Sequence, residues 1–127
     1  MSVPEELHYT EEHEWVETRD SGVVRVGITE YAQQQLGDVV FVDLPEVGKT
    51  LSSGEVFGEV ESTKSVSELF APVAGEVTAI NEAVSDSPDL INEDPYGTGW
   101  LIEITPSDQS SIDGLLNADS YAQLISE

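Results

Sequence analysis

The sequence predicts a mainly β domain, a small sandwich of two antiparallel sheets with short added helices, one of them C-terminal. Three observations carry that reading. Short apolar runs of strand length recur along the chain, separated by Pro, Gly and Asp. Helical periodicity is confined to two places, 29–36 and 112–125. The length of 127 residues suits one domain with a real core. We expect a single unit over 1–127, with its core at about 7–105 and a helical extension at about 107–126.

The elements follow in order. In Val23–Ile28, residues Val24, Val26 and Ile28 alternate with Val23, Arg25 and Gly27, which predicts a half-buried strand. Thr29 is a predicted N-cap, Glu30 follows in the first turn, Ala32 and Leu36 share a helical face, and Gly37 ends the helix. The unbroken run Val39-Val40-Phe41-Val42 predicts a strand covered on both faces, with a turn at Pro45 and Gly48. Strands at 55–62 and 65–71 flank Lys64, and Pro72 ends the second. Gly75 is expected to bend the chain before a strand at 76–80. The Asp-, Pro- and Gly-rich stretch 85–99 predicts a long packed or functional loop. Trp100, Ile102 and Ile104 mark a further strand. Ile112, Leu115 and Leu116, then Tyr121, Leu124 and Ile125, mark amphipathic helical turns, with Asn117 or Asp119 as cap. Gly54-Glu55-Val56 and Gly75-Glu76-Val77 are a weak internal echo, each opening a strand.

The formal net charge is −22. Disorder is rejected, because Val, Leu, Ile and Phe together stand well above the roughly 20% below which it becomes the default. The acids are dispersed and form no tail. Such a surface repels nucleic acid and anionic membranes, so neither is expected as a partner. Self-repulsion of this size is relieved by salt, which predicts a salt-loving prokaryotic source, with an ordinary, very soluble acidic protein as the alternative. Cysteine is absent, which excludes disulfides and thiolate metal sites. No apolar stretch reaches membrane-spanning length. The acidic start matches neither a secretory signal nor a transit peptide, so the cytoplasm is the expected location.

Lys64 stands out chemically. It is one of two lysines, and it sits between two strand segments among small hydroxyl residues, in Glu61-Ser62-Thr63-Lys64-Ser65. That pattern places a primary amine at a hairpin tip, held out in solvent on a rigid support. The bland reading is a solvated surface lysine, which we adopt for Lys49 in its Pro/Gly turn. His8 and His13 are too few for a histidine metal site. Trp15 reads as core packing, and Pro72 and Gly75 as structural. Glu14, Glu61 and Glu68, taken alone, are surface acids.

Glu61-Ser62-Thr63-Lys64 followed by Ala71-Pro72-Val73-Ala74-Gly75-Glu76-Val77 resembles the lipoyl-attachment region of the glycine cleavage H-protein family. The likeness runs from about 7 to 125. It takes in His13-Glu14-Trp15, Val26-Gly27-Ile28-Thr29-Glu30, Ala32-Gln33, Leu36-Gly37-Asp38 and Val40-Phe41-Val42-Asp43-Leu44-Pro45. Ser87-Pro88, Pro95-Tyr96 and Gly99-Trp100 complete it. Thr63 and Ser65 stand where small apolar residues are usual, and Tyr31 where His is common.

The resemblance implies a lipoyl/biotinyl-type barrel-sandwich hybrid with lipoate held as an amide on Lys64. It implies that Glu61 is read by the lipoate-attaching enzyme. Glu14, Glu68 and His13 would line the cleft where the aminomethyl-loaded arm rests. It further implies a carrier, not an enzyme. The partners would be a pyridoxal-phosphate glycine decarboxylase, a tetrahydrofolate-dependent aminomethyltransferase and an FAD dihydrolipoamide dehydrogenase. The alternatives fit less well. A lipoyl domain of a 2-oxo acid dehydrogenase would bring Ala/Pro-rich linkers. A biotin carrier would place its lysine between methionines. A lipoate-relay scaffold for other enzymes is an added role that the residues leave open.

Overall fold

The computed structural model describes residues 3–126. It holds two antiparallel sheets. The larger has six strands in the order β1 (His8–Tyr9), β2 (Glu14–Thr18), β3 (Val24–Ile28), β9 (Ile102–Pro106), β8 (Gly75–Ile80) and β5 (Thr50–Leu51). The smaller has three, in the order β4 (Val39–Asp43), β6 (Val56–Ser62) and β7 (Val66–Phe70).

The inward faces of both sheets form one core. Val24, Val26, Val77 and Ile104 from the larger sheet meet Val42, Val60 and Leu69 from the smaller, and all are buried. Each such side chain contributes about 1.5–3 kcal/mol when fully withdrawn from water. A second cluster covers the other side of β2. There Tyr9 stacks on Tyr121 at 4.6 Å, beside Leu7, Trp15 and Ala118. Tyr121 belongs to the C-terminal helix α4 (Ala118–Ser126), which therefore packs onto the β1–β2 end of the larger sheet. Of the two candidate caps, Asn117 serves: its Oδ1 accepts from the Ser120 N–H at 2.8 Å. The turn at Ile112 is a 3₁₀ helix over Gln109–Gly114.

Helix α1 (Glu30–Leu36) has the predicted caps. The Thr29 hydroxyl accepts from the Ala32 N–H, and Gly37 closes the helix at φ +85° with its own N–H on the Gln33 carbonyl. Four expectations need correction. The run 39–42 is not covered on both faces, since Val40 and Phe41 are exposed. The cause is a bulge between Val39 and Phe41, which shifts the alternation by one residue. The stretch 85–99 is not a loop throughout. It contains the end of α2 (Glu82–Asp86) and all of α3 (Leu90–Glu93), with Val84 and Ile91 fully buried. Gly75 does not bend the chain; it is paired within β8, where a Cβ would strike the Thr105 carbonyl oxygen. Trp100 precedes β9 and does not belong to it.

Asn92 on α3 matters for the site. Its Nδ2 donates to the Gly37 carbonyl at 2.8 Å and to Gln33 Oε1 at 2.9 Å. Its Oδ1 accepts from the Val39 N–H at 2.8 Å. One amide thus fixes both the end of α1 and the start of β4.

Candidate functional site

Strands β6 and β7 form the hairpin that carries Lys64. Their last register pair is Glu61 opposite Val66, which leaves 62–65 to form the turn, with 63–65 beyond the strand ends. Ser62 closes the turn. Its N–H donates to the Ser65 carbonyl at 2.8 Å, and its Oγ accepts from the N–H groups of Lys64 and Ser65 at 3.3 and 3.1 Å. The tip is also tied sideways, because the Thr63 N–H donates to the Asp38 carbonyl at 3.0 Å. The Ser62 hydroxyl therefore helps the turn hold its own shape.

Lys64 is exposed, but it does not project freely. A Cβ on Gly37 would lie 3.4 Å from Lys64 Cε, so the aliphatic stem runs along the glycine that ends α1. Long cationic side chains commonly lay the stem on a surface and keep the head in water.

A cleft of about 430 Å³ opens between α1 and β7. Ser65 and Val66 border it beside Lys64, Tyr31 and Leu36 supply one wall, and His13, Glu14 and Glu68 complete it. Three of the sequence candidates thus meet in one cavity that begins at the lysine hairpin. Glu61 does not join them. It lies on β6 between Phe41 and Val66 and does not line the cleft.

Glu14 is the buried member. It is 1% exposed, and both oxygens are engaged. Oε2 accepts from the Phe70 N–H at 2.8 Å and Oε1 from the Thr10 hydroxyl at 3.1 Å. Burial pushes its carboxyl up to about 8, against the pull of those two hydrogen bonds. Glu68, by contrast, is an exposed acid on the rim. His13 adopts a left-handed φ of +69°, and its Nδ1 lies 2.9 Å from the Tyr121 hydroxyl. Burial lowers its imidazole below the ordinary histidine value. Tyr121 also reaches Thr29 Oγ1 at 2.7 Å, so one buried hydroxyl joins the far end of the cleft to the cap of α1.

Thr10, Asn92 and Tyr121 were not legible as site residues. Thr10 stands four residues before Glu14, which is a faint signal for a local pair. Asn92 and Tyr121 act across 55 and 108 residues, and nothing local announces them.

Fold and site together define a carrier domain that presents one hairpin lysine beside a cleft. The comparisons with known proteins agree. The family model for the glycine cleavage H-protein matches residues 7–127. The chain is 54% identical over 127 residues to the glycine cleavage system H protein of Anoxybacillus flavithermus, covering 100% of this chain and 99% of that one. It is 57% identical to the Mycobacterium avium protein of that name over 129 residues, covering 98% of each. The crystal structure of a glycine cleavage system H protein from Mycobacterium marinum superposes with a TM-score of 0.90 at 47% identity, over 98% of this chain and 100% of that one. The chain belongs to the glycine cleavage H-protein family, the lipoyl carriers of the glycine cleavage system. These relatives lend no support to the expected salt-loving source. Among the described residues, no helix is long and apolar enough to cross a membrane.

Proposed function

We propose that Lys64 is the residue that carries lipoate, as an amide on Nζ, and that 1–127 works as one carrier unit in the cytoplasm. One observation carries this reading. Lys64 sits on a hairpin tied at Ser62 and Asp38, at the mouth of a cleft with partly apolar walls and a buried acid within it. Apolar walls at Leu36 and Val66 suit a hydrocarbon arm, and Lys64 adjoins Ser65 on the cleft's border. The bound dithiolane would supply a thiol to carry an aminomethyl group from glycine decarboxylase to the aminomethyltransferase, and a dithiol for dihydrolipoamide dehydrogenase to reoxidise.

The chain's own residues orient and shelter. Glu61 is the acid read by the lipoate-attaching enzyme. Glu14, Glu68 and His13 hold the loaded arm. The load ends in a cationic amine, for which a carboxylate is the matching acceptor. Because Glu14 retains its proton near neutrality, docking of a cation there is coupled to loss of that proton. Bond making and breaking belong to the partner enzymes, and this chain supplies delivery.

The test is intact mass and peptide mapping after incubation with lipoate, ATP and a lipoate–protein ligase. We expect one lipoyl group, on the peptide containing Lys64 and not on that containing Lys49. Labelling that survives in Lys64→Arg would refute the assignment.

A further inference from the structure

The bulge in β4 has an effect on the surface beside the lysine. Val39 pairs with Ser62 and Phe41 with Glu61, so Val40 is the extra residue between them. Bulges re-aim the side chains around them. This one leaves two adjacent apolar residues facing water, Val40 at 55% and Phe41 at 51% exposure. On the far strand Val66, opposite Glu61, is 57% exposed. Directly opposed residues of antiparallel strands share a face. Phe41, Glu61 and Val66 therefore form one row across the outer face of the smaller sheet.

The next outward row is Asp43, Glu59 and Glu68, an acid on every strand. Like charges placed directly opposite weaken a sheet, and an exposed Phe forgoes burial energy. Neither row serves the fold. Together they form an apolar strip with an acidic border, and that strip ends at the Lys64 turn.

We propose that this outer face is the docking surface for the enzyme that acylates Lys64, with Phe41, Val40 and Val66 as its apolar seat. The inference rests on Lys64 being the modified residue. Acylation requires the enzyme to reach Nζ itself, so its footprint must cover the residues nearest the lysine. Val66 is two positions away and Glu61 three. Enzymes that act at the far end of a long arm have no such obligation. The strands β4, β6 and β7 contain no Lys or Arg. The matching partner face is therefore an apolar socket bordered by lysines and arginines, the usual anatomy of an apolar centre within a charged rim. A second copy of this chain does not fit, because it would set Asp43, Glu59, Glu61 and Glu68 against acids at a net charge of −22 each.

The step served there is balanced simply. The uncharged Nζ forms a C–N bond to the carbonyl carbon of a lipoyl acyl-nucleotide, the nucleotide monophosphate leaves, and the amine loses one proton.

The experiment uses the intact chain, a lipoate–protein ligase, lipoate and ATP. Phe41→Thr keeps a strand-compatible residue and removes the apolar seat. We expect its KM as protein substrate to rise about tenfold with kcat held within about twofold. Calorimetric Kd values for the same ligase, measured in a Lys64→Arg background, should weaken in parallel. Asp43→Asn with Glu59→Gln should flatten the salt dependence of kcat/KM. Acylation of Phe41→Thr at the wild-type rate overturns the proposal. A fall in kcat with KM unchanged also overturns it, since Phe41 would then act on the lysine and not on docking. Normal acylation with slowed transfer between the glycine-system enzymes assigns the strip to them and overturns it too. So does sedimentation showing a dimer that Phe41→Thr abolishes. Failure of the Lys64 reading looks different: the lipoyl group maps to another peptide whatever stands at 41.

Discussion

The main-chain N–H of Phe70 donates to Glu14 Oε2 at 2.8 Å, across 56 residues of sequence. Phe70 ends β7, an edge strand of the smaller sheet, and Glu14 opens β2 of the larger. A side-chain carboxyl thus takes the place of a strand partner and links the lysine hairpin to the other sheet. Glu14→Ala should leave that part-buried N–H without its acceptor and cost about 1–3 kcal/mol. Glu14→Gln keeps an acceptor oxygen and should cost less. Urea denaturation at pH 6 separates the two, and equal losses would show that the link carries no stability.

The pH dependence of stability should reveal the same group. Burial raises the Glu14 carboxyl from its ordinary value of 4.5 to about 8 in the folded chain. The folded state then holds a proton that the unfolded state releases between those values. Stability from this group is fully present below about pH 4.5 and is lost as pH rises towards 8. Glu14→Gln has no such slope, so its stability relative to wild type should improve from pH 5 to 8. The gain is at most about 1.4 kcal/mol per unit. Parallel pH profiles for the two proteins would contradict a raised carboxyl.

A loaded arm, if it docks as proposed, should decay faster when its acceptor is gone. We expect first-order loss of the aminomethyl group to speed up about tenfold in Glu14→Gln, the equivalent of about 1.4 kcal/mol of docking energy. Glu68→Ala should act in the same direction and more weakly, because an exposed acid is worth less than a sheltered one. Lipoylation itself should be unchanged in Glu14→Gln. Decay at the wild-type rate in Glu14→Gln would remove Glu14 from the cleft's function.

Salt should raise the melting temperature. With 26 acids against four Lys and Arg, repulsion within the folded chain is relieved as KCl approaches molar concentration. Thermal melts across that range test this. A flat or falling Tm would show that the acids do not oppose one another.

The parts of the fold legible in the sequence are those whose signals are local. Thr29 and Gly37 bracket α1 because capping is decided within one turn. The Lys64 hairpin was legible because two strand patterns flank a short polar turn. Where alternation is interrupted, reading fails. The bulge at Val40 made a half-exposed strand look fully buried. In β2, Glu14, Trp15 and Val16 are buried in succession because cores lie on both sides of it, so no period of two appears. The two-residue strands β1 and β5 are too short to show any period. The four-residue helix α3 and the end of α2 were hidden inside a stretch whose Asp, Pro and Gly suggested a loop. The cleft gathers His13 and Glu14 with Glu68, but only Glu14's burial, which no sequence pattern reports, sets it apart from the other acids.

Asn92 gives the segment 82–93 a meaning beyond connection. Its amide holds Gly37 and Val39, Asp38 between them holds Thr63, and Thr63 precedes Lys64. The lysine's backbone is therefore a fixed pivot whose position is set by a helix 28 residues further along the chain. A lesion in that helix need not unfold the protein to be harmful. It would loosen the origin from which any tethered group swings, and a tether delivers at high local concentration only while its reach and its target stay matched. In a genetic screen such a lesion would appear as a failure of delivery, mapped far from the lysine proposed to carry the load.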